Sequence, residues 1–320
     1  MVDKVQKKIN AVVVTYNRKN LLIECLRALL QQTYPVAMIT IIDNASSDNT
    51  REVLKEKGYL KNKRINYLRL SKNIGGAGGF FEGLKRTQGL GYDYAWIMDD
   101  DVIVKENSLK KLMEGLIKLK NKNERVSFLA SAVYGEKNEP MNVPEIDTTP
   151  TQNGYADWYK YLGYEMIPIK SATFVSLLID YKAIDKVGLP CKDYFIWGDD
   201  TEYTLRLTRY YGKAYFIGNS VVVHKRKNAK SLAIENIDDP NRIKMIWRLY
   251  RNNKINMRYY YGNKIYVKAL IKDFPYILSL LKKKQGFQKG KQIIKGNLLS
   301  IKDYPKIKRF IDGQLGDKNA

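Results

Sequence analysis

Three carboxylates stand side by side at Asp99, Asp100 and Asp101, directly after the apolar run Tyr94 to Met98. Adjacent carboxylates repel one another and cost stability unless a cation sits among them. Hard oxygen ligands suit Mg²⁺ or Mn²⁺, ions that also accept phosphate oxygens from a substrate. In extended backbone Asp99 and Asp101 point to one side, which makes them the expected metal pair and aims Asp100 elsewhere. A solvated acidic turn is the plainer alternative, but the apolar strand in front of the triplet argues against it. His224, the only histidine, ends another apolar run, Val221 to Val223. Imidazole is a common ligand for Mn²⁺-like ions, so His224 joins the expected metal set. A second acidic group, Asp199-Asp200-Thr201-Glu202, follows Trp197-Gly198 at the head of a helical pattern. Acids are favoured at a helix N-terminus by capping and by the macrodipole. Two Asp and a Glu within four residues exceed what a cap requires, and one carboxylate there could act as general base toward a hydroxyl.

These residues need elements that bring them together. Ile9 to Thr15, Ile39 to Ile42, Ile65 to Leu70 and Tyr94 to Met98 read as buried strands alternating with helical patterns. Ser46-Ser47-Asp48 offers N-cap chemistry for a helix running to about Lys57. Such alternation predicts an α/β fold with a largely parallel sheet, whose ligands bind beyond the carboxyl ends of the strands. Thr15, Tyr16 and Asn17, then Asp43, then Asn73 with its glycines, and finally the Asp triplet all fall at such ends and should share one crevice. Residues 75–79 read as a glycine loop before a helix starting near Phe80, letting a ligand approach the backbone closely. The spacing fails the dinucleotide fingerprint, because Phe81 stands where a third glycine belongs. A nicotinamide enzyme is therefore disfavoured. Residues 134–168, with Pro140, Pro144 and Pro150, read as a surface excursion that could serve as a lid. Strand character resumes over Ser171 to Ile179, and Asp199 to Tyr211 reads as a helix. From Pro240 onward the pattern is helical and basic.

The net charge of the 320 residues is +23. Residues 241–320 hold 20 Lys and Arg against 4 Asp and Glu, so +16 of that charge lies in the last quarter. The expected organisation is one α/β domain over 1–235 and a basic helical segment over 236–320. That segment calls for an anionic partner. Lys282-Lys283-Lys284 beside Phe274, Tyr276, Ile277, Leu278, Leu280 and Leu281 suits an anionic membrane surface, with an oligomer contact as the alternative. Nucleic acid would also attract a basic tail that interleaves Tyr259, Tyr260, Tyr261 and Phe287, but it leaves the acidic strand-end groups unexplained. Cys25 and Cys191 have no metal-type spacing and are expected to be reduced and structural. No secretory apolar core and no run of about 18 apolar residues occurs, so the expectation is a cytoplasmic protein, peripheral on the inner face of the membrane.

The pieces together resemble the inverting glycosyltransferases of family 2, over roughly residues 9–225 and a stretch near 248–253. Val12-Val13-Val14-Thr15-Tyr16-Asn17-Arg18 is similar to that family's first strand and nucleotide loop, and Asp43-Asn44-Ala45-Ser46-Ser47-Asp48 to its second strand end. The resemblance implies the GT-A fold: a Rossmann-like mixed sheet with helices on both faces. It assigns donor binding to Thr15, Tyr16, Asn17, Arg18, Asp43, Asn73, Gly75, Gly76 and Asp100, with Asp43 reading the base edge. It assigns Mn²⁺ or Mg²⁺ to Asp99, Asp101 and His224. Asp200 becomes the catalytic base, supported by Asp199, Glu202 and Trp197. The glycine segment, the triple Asp and Trp197-Gly198-Asp199-Asp200 look most like bacterial galactofuranosyltransferases, which implies UDP-galactofuranose as donor and a lipid-linked or cell-surface glycan as acceptor. Rhamnosyltransferases and other hexosyltransferases share part of the pattern. Arg248-Leu249-Tyr250-Arg251-Asn252-Asn253 echoes an aromatic, Arg-Asn segment late in such enzymes. A nucleotidyltransferase is the nearest enzymatic rival, and a glycan-binding module without catalysis fails on the intact acidic groups.

Overall fold

The computed structural model describes residues 6–226 and 233–316; residues 1–5, 227–232 and 317–320, which fall inside the two expected segments, lie outside it. The first half alternates β1 (Ile9–Thr15), α1 (Lys19–Leu30), β2 (Met38–Asp43), α2 (Thr50–Glu56), β3 (Ile65–Arg69), α3 (Gly75–Thr87) and β4 (Tyr94–Asp99). There follow β5 (Val102–Val104), α4 (Ser108–Lys120), β6 (Val126–Tyr134), β7 (Glu145–Ile146), β8 (Met166–Ser171) and β9 (Leu177–Asp180). The chain then forms α5 (Tyr181–Val187), α6 (Asp199–Tyr210) and β10 (Lys213–His224), and ends in α7 (Pro240–Ile243), α8 (Ile246–Tyr261), α9 (Asn263–Leu280) and α10 (Gly286–Leu315).

The strands form one mixed sheet in the order β3-β2-β1-β4-β9-β6-β10-β8-β7, with β5 on β10. Strands β3, β2, β1 and β4 are parallel neighbours, whereas β9 runs antiparallel between β4 and β6. Side chains alternate across a strand. On β1, Ile9, Ala11 and Val13 face one apolar layer with Leu22, Leu26 and Leu29 of α1 and Leu112 of α4. Val12 and Val14 face the other layer, with Phe80 and Leu84 of α3, Tyr203 of α6 and Ile307 of α10. Both faces of β1 are covered, which is why it reads as an unbroken valine run. Helices α8–α10 share a small core of their own around Ile246, Leu280 and Ile293, but the end of α10 returns to the sheet layer.

Several expectations need correction. The glycines are not a loop before a helix: α3 starts at Gly75 and contains them. A Cβ on Gly79 would stand 2.5 Å from Val14 Cγ1, and one on Gly83 would stand 2.4 Å from Val12 Cγ1. These glycines let α3 press onto β1, and that packing overrides their poor helix propensity. Only Gly76 of the early glycines opens to free space on the cleft side. Helix α2 starts later than expected, at Thr50 behind a left-handed Asn49, and no side chain of 46–48 caps it. Instead Asp48 accepts from the Thr50 hydroxyl and from Lys19 N. The strand expected over 171–179 divides into β8 and β9, and the last strand begins at Lys213 rather than Val221.

Candidate active site

The carboxyl ends of β1 and β4, the head of α6 and the end of β10 converge on one open cleft of about 1480 Å³. Asn17, Arg18, Gly76, Asp99, Asp101, Trp197, Asp199, Asp200 and His224 all line it.

One side is built on the parallel strands. Asp100 turns away from the opening, as the alternation requires: Thr15 Oγ1 donates to its Oδ2 at 2.6 Å, and Arg18 Nη1 reaches its Oδ1 at 3.2 Å. The same guanidinium donates to Asp101 Oδ2 at 2.6 Å. The short strand β5 pairs with the end of β10 and sets His224 opposite Val102. Lys225 N donates to Asp101 O at 2.8 Å, fixing the junction. His224 Nε2 therefore lies 3.2 Å from Asp101 Oδ1. On the far side of the ring, Nδ1 meets Asn142 Oδ1 at 2.9 Å. In the tautomer that donates Nδ1–H to Asn142, Nε2 turns its lone pair toward a carboxylate oxygen. Asp101 Oδ1 is buried and makes no hydrogen bond of good geometry. In that tautomer two acceptors face each other and a divalent ion fits between them, whereas a proton on Nε2 would donate to Asp101 instead.

The charges agree with that geometry. Burial, then the Asp101 and Asp100 charges, push Asp99 well above the usual carboxylate range. Burial lifts Asp100 to about 6 against the opposing pull of Arg18 and Thr15. Burial also works to raise Asp101, but His224 and Arg18 outweigh it and hold Asp101 low. Asp99 and Asp100 thus lack sufficient positive charge, while Asp101 has it from His224 and Arg18. Asp99, Asp101 and His224 do not, however, form a closed three-ligand cage; among the described residues no such cluster exists. Ions such as Mg²⁺ are usually held by one or two carboxylates together with substrate phosphates, so an open half-site suffices.

The other side rests on the loop 194–198. Ile196 N donates to Tyr194 O at 2.7 Å, closing a tight turn at Phe195 with φ 65 and ψ −59. Trp197 (φ 65) and Gly198 (φ 81) are also left-handed. Such conformations cost roughly 1–3 kcal/mol each for non-glycine residues and persist only where surroundings hold them. Helix α8 does the holding. Asn252 Nδ2 donates to the carbonyls of Tyr194, Ile196 and Trp197 at 3.1, 3.1 and 2.6 Å. Asn256 Nδ2 donates to Gly198 O at 2.8 Å, and Arg251 Nη2 to Asp193 O at 2.7 Å. The Phe195 carbonyl accepts from Ala77 N of α3, which ties the loop to the opposite wall.

The loop delivers Asp199 and Asp200 to the cleft at the head of α6. Asp199 is buried and Asp200 is half-buried. Burial, then the Asp200 charge, pushes Asp199 up to about 8. Burial also raises Asp200, but Thr201 N donates to its Oδ1 at 2.7 Å and works against the rise. Both carboxyls line the cleft, and Asp200 is the more exposed of the two.

Two expected site residues lie elsewhere. Glu202 is fully buried and paired with Arg206 at 2.9 Å, and it accepts from Tyr260 OH at 2.9 Å. It points into the core because α6 turns that face toward α8, so it locks α6 in place and touches no cleft. Asp43 is also fully buried and accepts from Ser46 N and from Tyr67 OH; it shapes the 43–48 turn rather than lining the opening. Asn73 accepts from Gly75 N at 2.8 Å just before α3, and Tyr16 is exposed; neither lines the cleft. Sequence reasoning missed Asn142, Arg226 and Arg242, all lining the cleft, and reached Asn253, which lines it too, only through the resemblance of the 248–253 segment. Each sits in an aperiodic stretch or in the basic segment, and no local pattern marks it.

The Glycosyl transferase family 2 profile matches residues 11–160. Galactofuranosyltransferase GlfT1 of Mycolicibacterium smegmatis is 25% identical over 209 residues, 62% of this chain and 65% of that protein. A dolichyl N-acetyl-alpha-D-glucosaminyl phosphate 3-beta-D-2,3-diacetamido-2,3-dideoxy-beta-D-glucuronosyltransferase of Methanococcus voltae is 26% identical over 220 residues, covering 67% of this chain and 65% of its own. The matched part thus spans just under two-thirds of either relative. Among solved structures, S. aureus TarS 1-349 in complex with UDP superposes with TM-score 0.56 at 13% identity, over 96% of this chain and 88% of that one. GalNAc-T7 with UDP, GalNAc and Mn²⁺ gives TM-score 0.57 at 17% identity, over 85% and 55%. The fold is that of the GT-A glycosyltransferases.

Proposed function

We propose that the chain is a glycosyl transferase family 2 enzyme, the family whose profile matches residues 11–160, and that it moves a sugar from a UDP-sugar to a glycan or lipid-linked glycan with inversion. Galactofuranose is the leading donor sugar, supported by the motifs and by the similarity to GlfT1. One observation carries the reading: Asp200 lines the same opening as the Asp101–His224 half-site. Asp99, Asp101 and His224 would hold Mn²⁺ or Mg²⁺, which when bound screens the donor diphosphate and the charge of the departing nucleotide. Arg18, already beside Asp100 and Asp101, adds a guanidinium to that side. Asp200 takes the proton of the acceptor hydroxyl. The acceptor oxygen bonds to the anomeric carbon as the bond from that carbon to the phosphate oxygen breaks, and UDP leaves with the electron pair. A single in-line displacement inverts the configuration.

The test is a panel of nucleotide-sugars scored for nucleotide release with acceptor, with Mn²⁺, with Mg²⁺ and in excess chelator. The expected result is metal-dependent turnover of UDP-galactofuranose. Turnover of a rhamnosyl or another hexosyl donor instead would move the donor assignment. Full activity in chelator would remove the metal from the account. Turnover of sugar 1-phosphate with UTP alone would make the protein a nucleotidyltransferase.

A further inference from the structure

Helices α9 and α10 form an antiparallel hairpin. Tyr266 OH meets Ser300 Oγ at 3.2 Å, Asn297 Nδ2 donates to Asp273 at 2.8 Å, and Ile277 lies against Gly290. Beside these contacts, Val267, Ile271, Phe274, Leu278 and Leu281 recur at steps of four and three, one stripe of a helix. Phe287, Ile294, Leu298 and Ile301 make a matching stripe on α10. All nine side chains are between 49% and 75% exposed. Each stripe lies about a quarter turn around its helix from the hairpin contacts. Because the helices are antiparallel, both stripes fall on the same side. That side faces away from α8, which packs behind the hairpin through Trp247 and Tyr250 at Gly296 and through the Lys254–Asp273 pair at 2.8 Å.

A double apolar ridge of this size on a water-facing surface calls for an occupant. Charge selects it. Exposed Lys264, Lys268 and Lys282 border the α9 stripe, and exposed Lys291 and Lys302 border the α10 stripe. The region carries +16, so two copies of this face would repel, whereas an anionic surface complements it. Seven of the nine ridge side chains are aliphatic and only Phe274 and Phe287 are rings, which disfavours nucleic acid. No described helix is long and apolar enough to cross a membrane. We propose that the α9–α10 hairpin docks on an anionic lipid bilayer, its two apolar stripes entering the headgroup–acyl boundary and its lysines meeting lipid phosphates. Tyr276, Ile277 and Leu280 take no part, because they pack inward. Helix α8 then has one side on the docked hairpin and the other on the 194–198 loop, so a lipid-linked acceptor would arrive at the face nearest its base.

The experiment is vesicle co-sedimentation of the full chain, with phosphatidylcholine alone or mixed with phosphatidylglycerol, at low and high salt. Binding should require phosphatidylglycerol and weaken with salt. Phe274→Glu combined with Leu298→Glu should lower partitioning by at least ~10-fold, since it places charge in a buried apolar boundary. Replacing Lys282, Lys283 and Lys284 by Gln should lower it by ~10-fold or more on anionic vesicles. All these positions are exposed, so an unchanged melting temperature checks that the variants fold. Wild-type binding by either variant would overturn the proposal. So would a concentration-dependent dimer in sedimentation equilibrium that Phe274→Glu abolishes, which would assign the face to a second copy. None of these readouts uses a sugar donor, so the outcome stands apart from that of the transfer assay.

Discussion

The two walls of the cleft are built by different means. The Asp99–Asp101 wall is assembled from neighbours: Thr15, Arg18 and the triplet sit at the ends of adjacent parallel strands, and their positions follow from the sheet. The Asp199–Asp200 wall is a left-handed loop that its own sequence would not hold. It depends on Asn252 and Asn256, which lie more than fifty residues later on α8. The first wall is a property of the strand ends; the second is imposed from outside. The C-terminal helices are thus part of the active-site architecture on one side and a charged, apolar surface on the other.

The comparison is most sharply broken at Glu202. Removing its charge leaves Arg206 buried with no carboxylate partner, and breaking a buried pair costs about 3–5 kcal/mol. Glu202→Gln should therefore lower the urea midpoint strongly, and a midpoint equal to wild type would contradict the core assignment. A smaller effect is expected at Asn252. Asn252→Ala leaves the carbonyls of Tyr194, Ile196 and Trp197 without their shared donor, at about 1–3 kcal/mol. If the walls are independent, UDP affinity by calorimetry should stay near wild type while transfer at saturating donor falls. Equal loss of both would mean that α8 supports the whole cleft.

A further effect concerns pH. Asp199 has its folded pKa raised, to about 8, above an unfolded value near 3.8. Its proton-bound contribution to stability is fully present below the unfolded value and is lost as pH rises through the folded one. Asp199→Asn keeps a neutral side chain throughout, so its stability relative to wild type should rise between pH 4 and pH 8. A flat difference across that window would place the proton elsewhere.

Much of the first wall was legible because its signals are local. A valine run, then Thr15 and Arg18, and an apolar strand ending in three carboxylates each declare a strand end. The glycines of α3 were legible as constrained but not as helical, since their cause is the closeness of Val12 and Val14 on another element. Asp43 and Glu202 carry the residue types of a site, and only the direction of the side chain separates them from Asp101 and Asp199, which are buried too but line the cleft. Strand β5 and Asn142, which bring His224 into place, lie in short or aperiodic stretches where no period can be read. Asn252 reached the sequence reading only through resemblance, because nothing local says which loop a helix will hold.

The central claim is that proton acceptance and donor binding belong to opposite walls, and Asp200→Asn tests it most directly. The substitution keeps the side chain's shape and removes the proton acceptor. UDP affinity should be unchanged by calorimetry, while the transfer rate at saturating donor and acceptor should fall by about 10²- to 10⁴-fold. Near wild-type transfer by Asp200→Asn, or a parallel loss of UDP binding and transfer, would contradict the account.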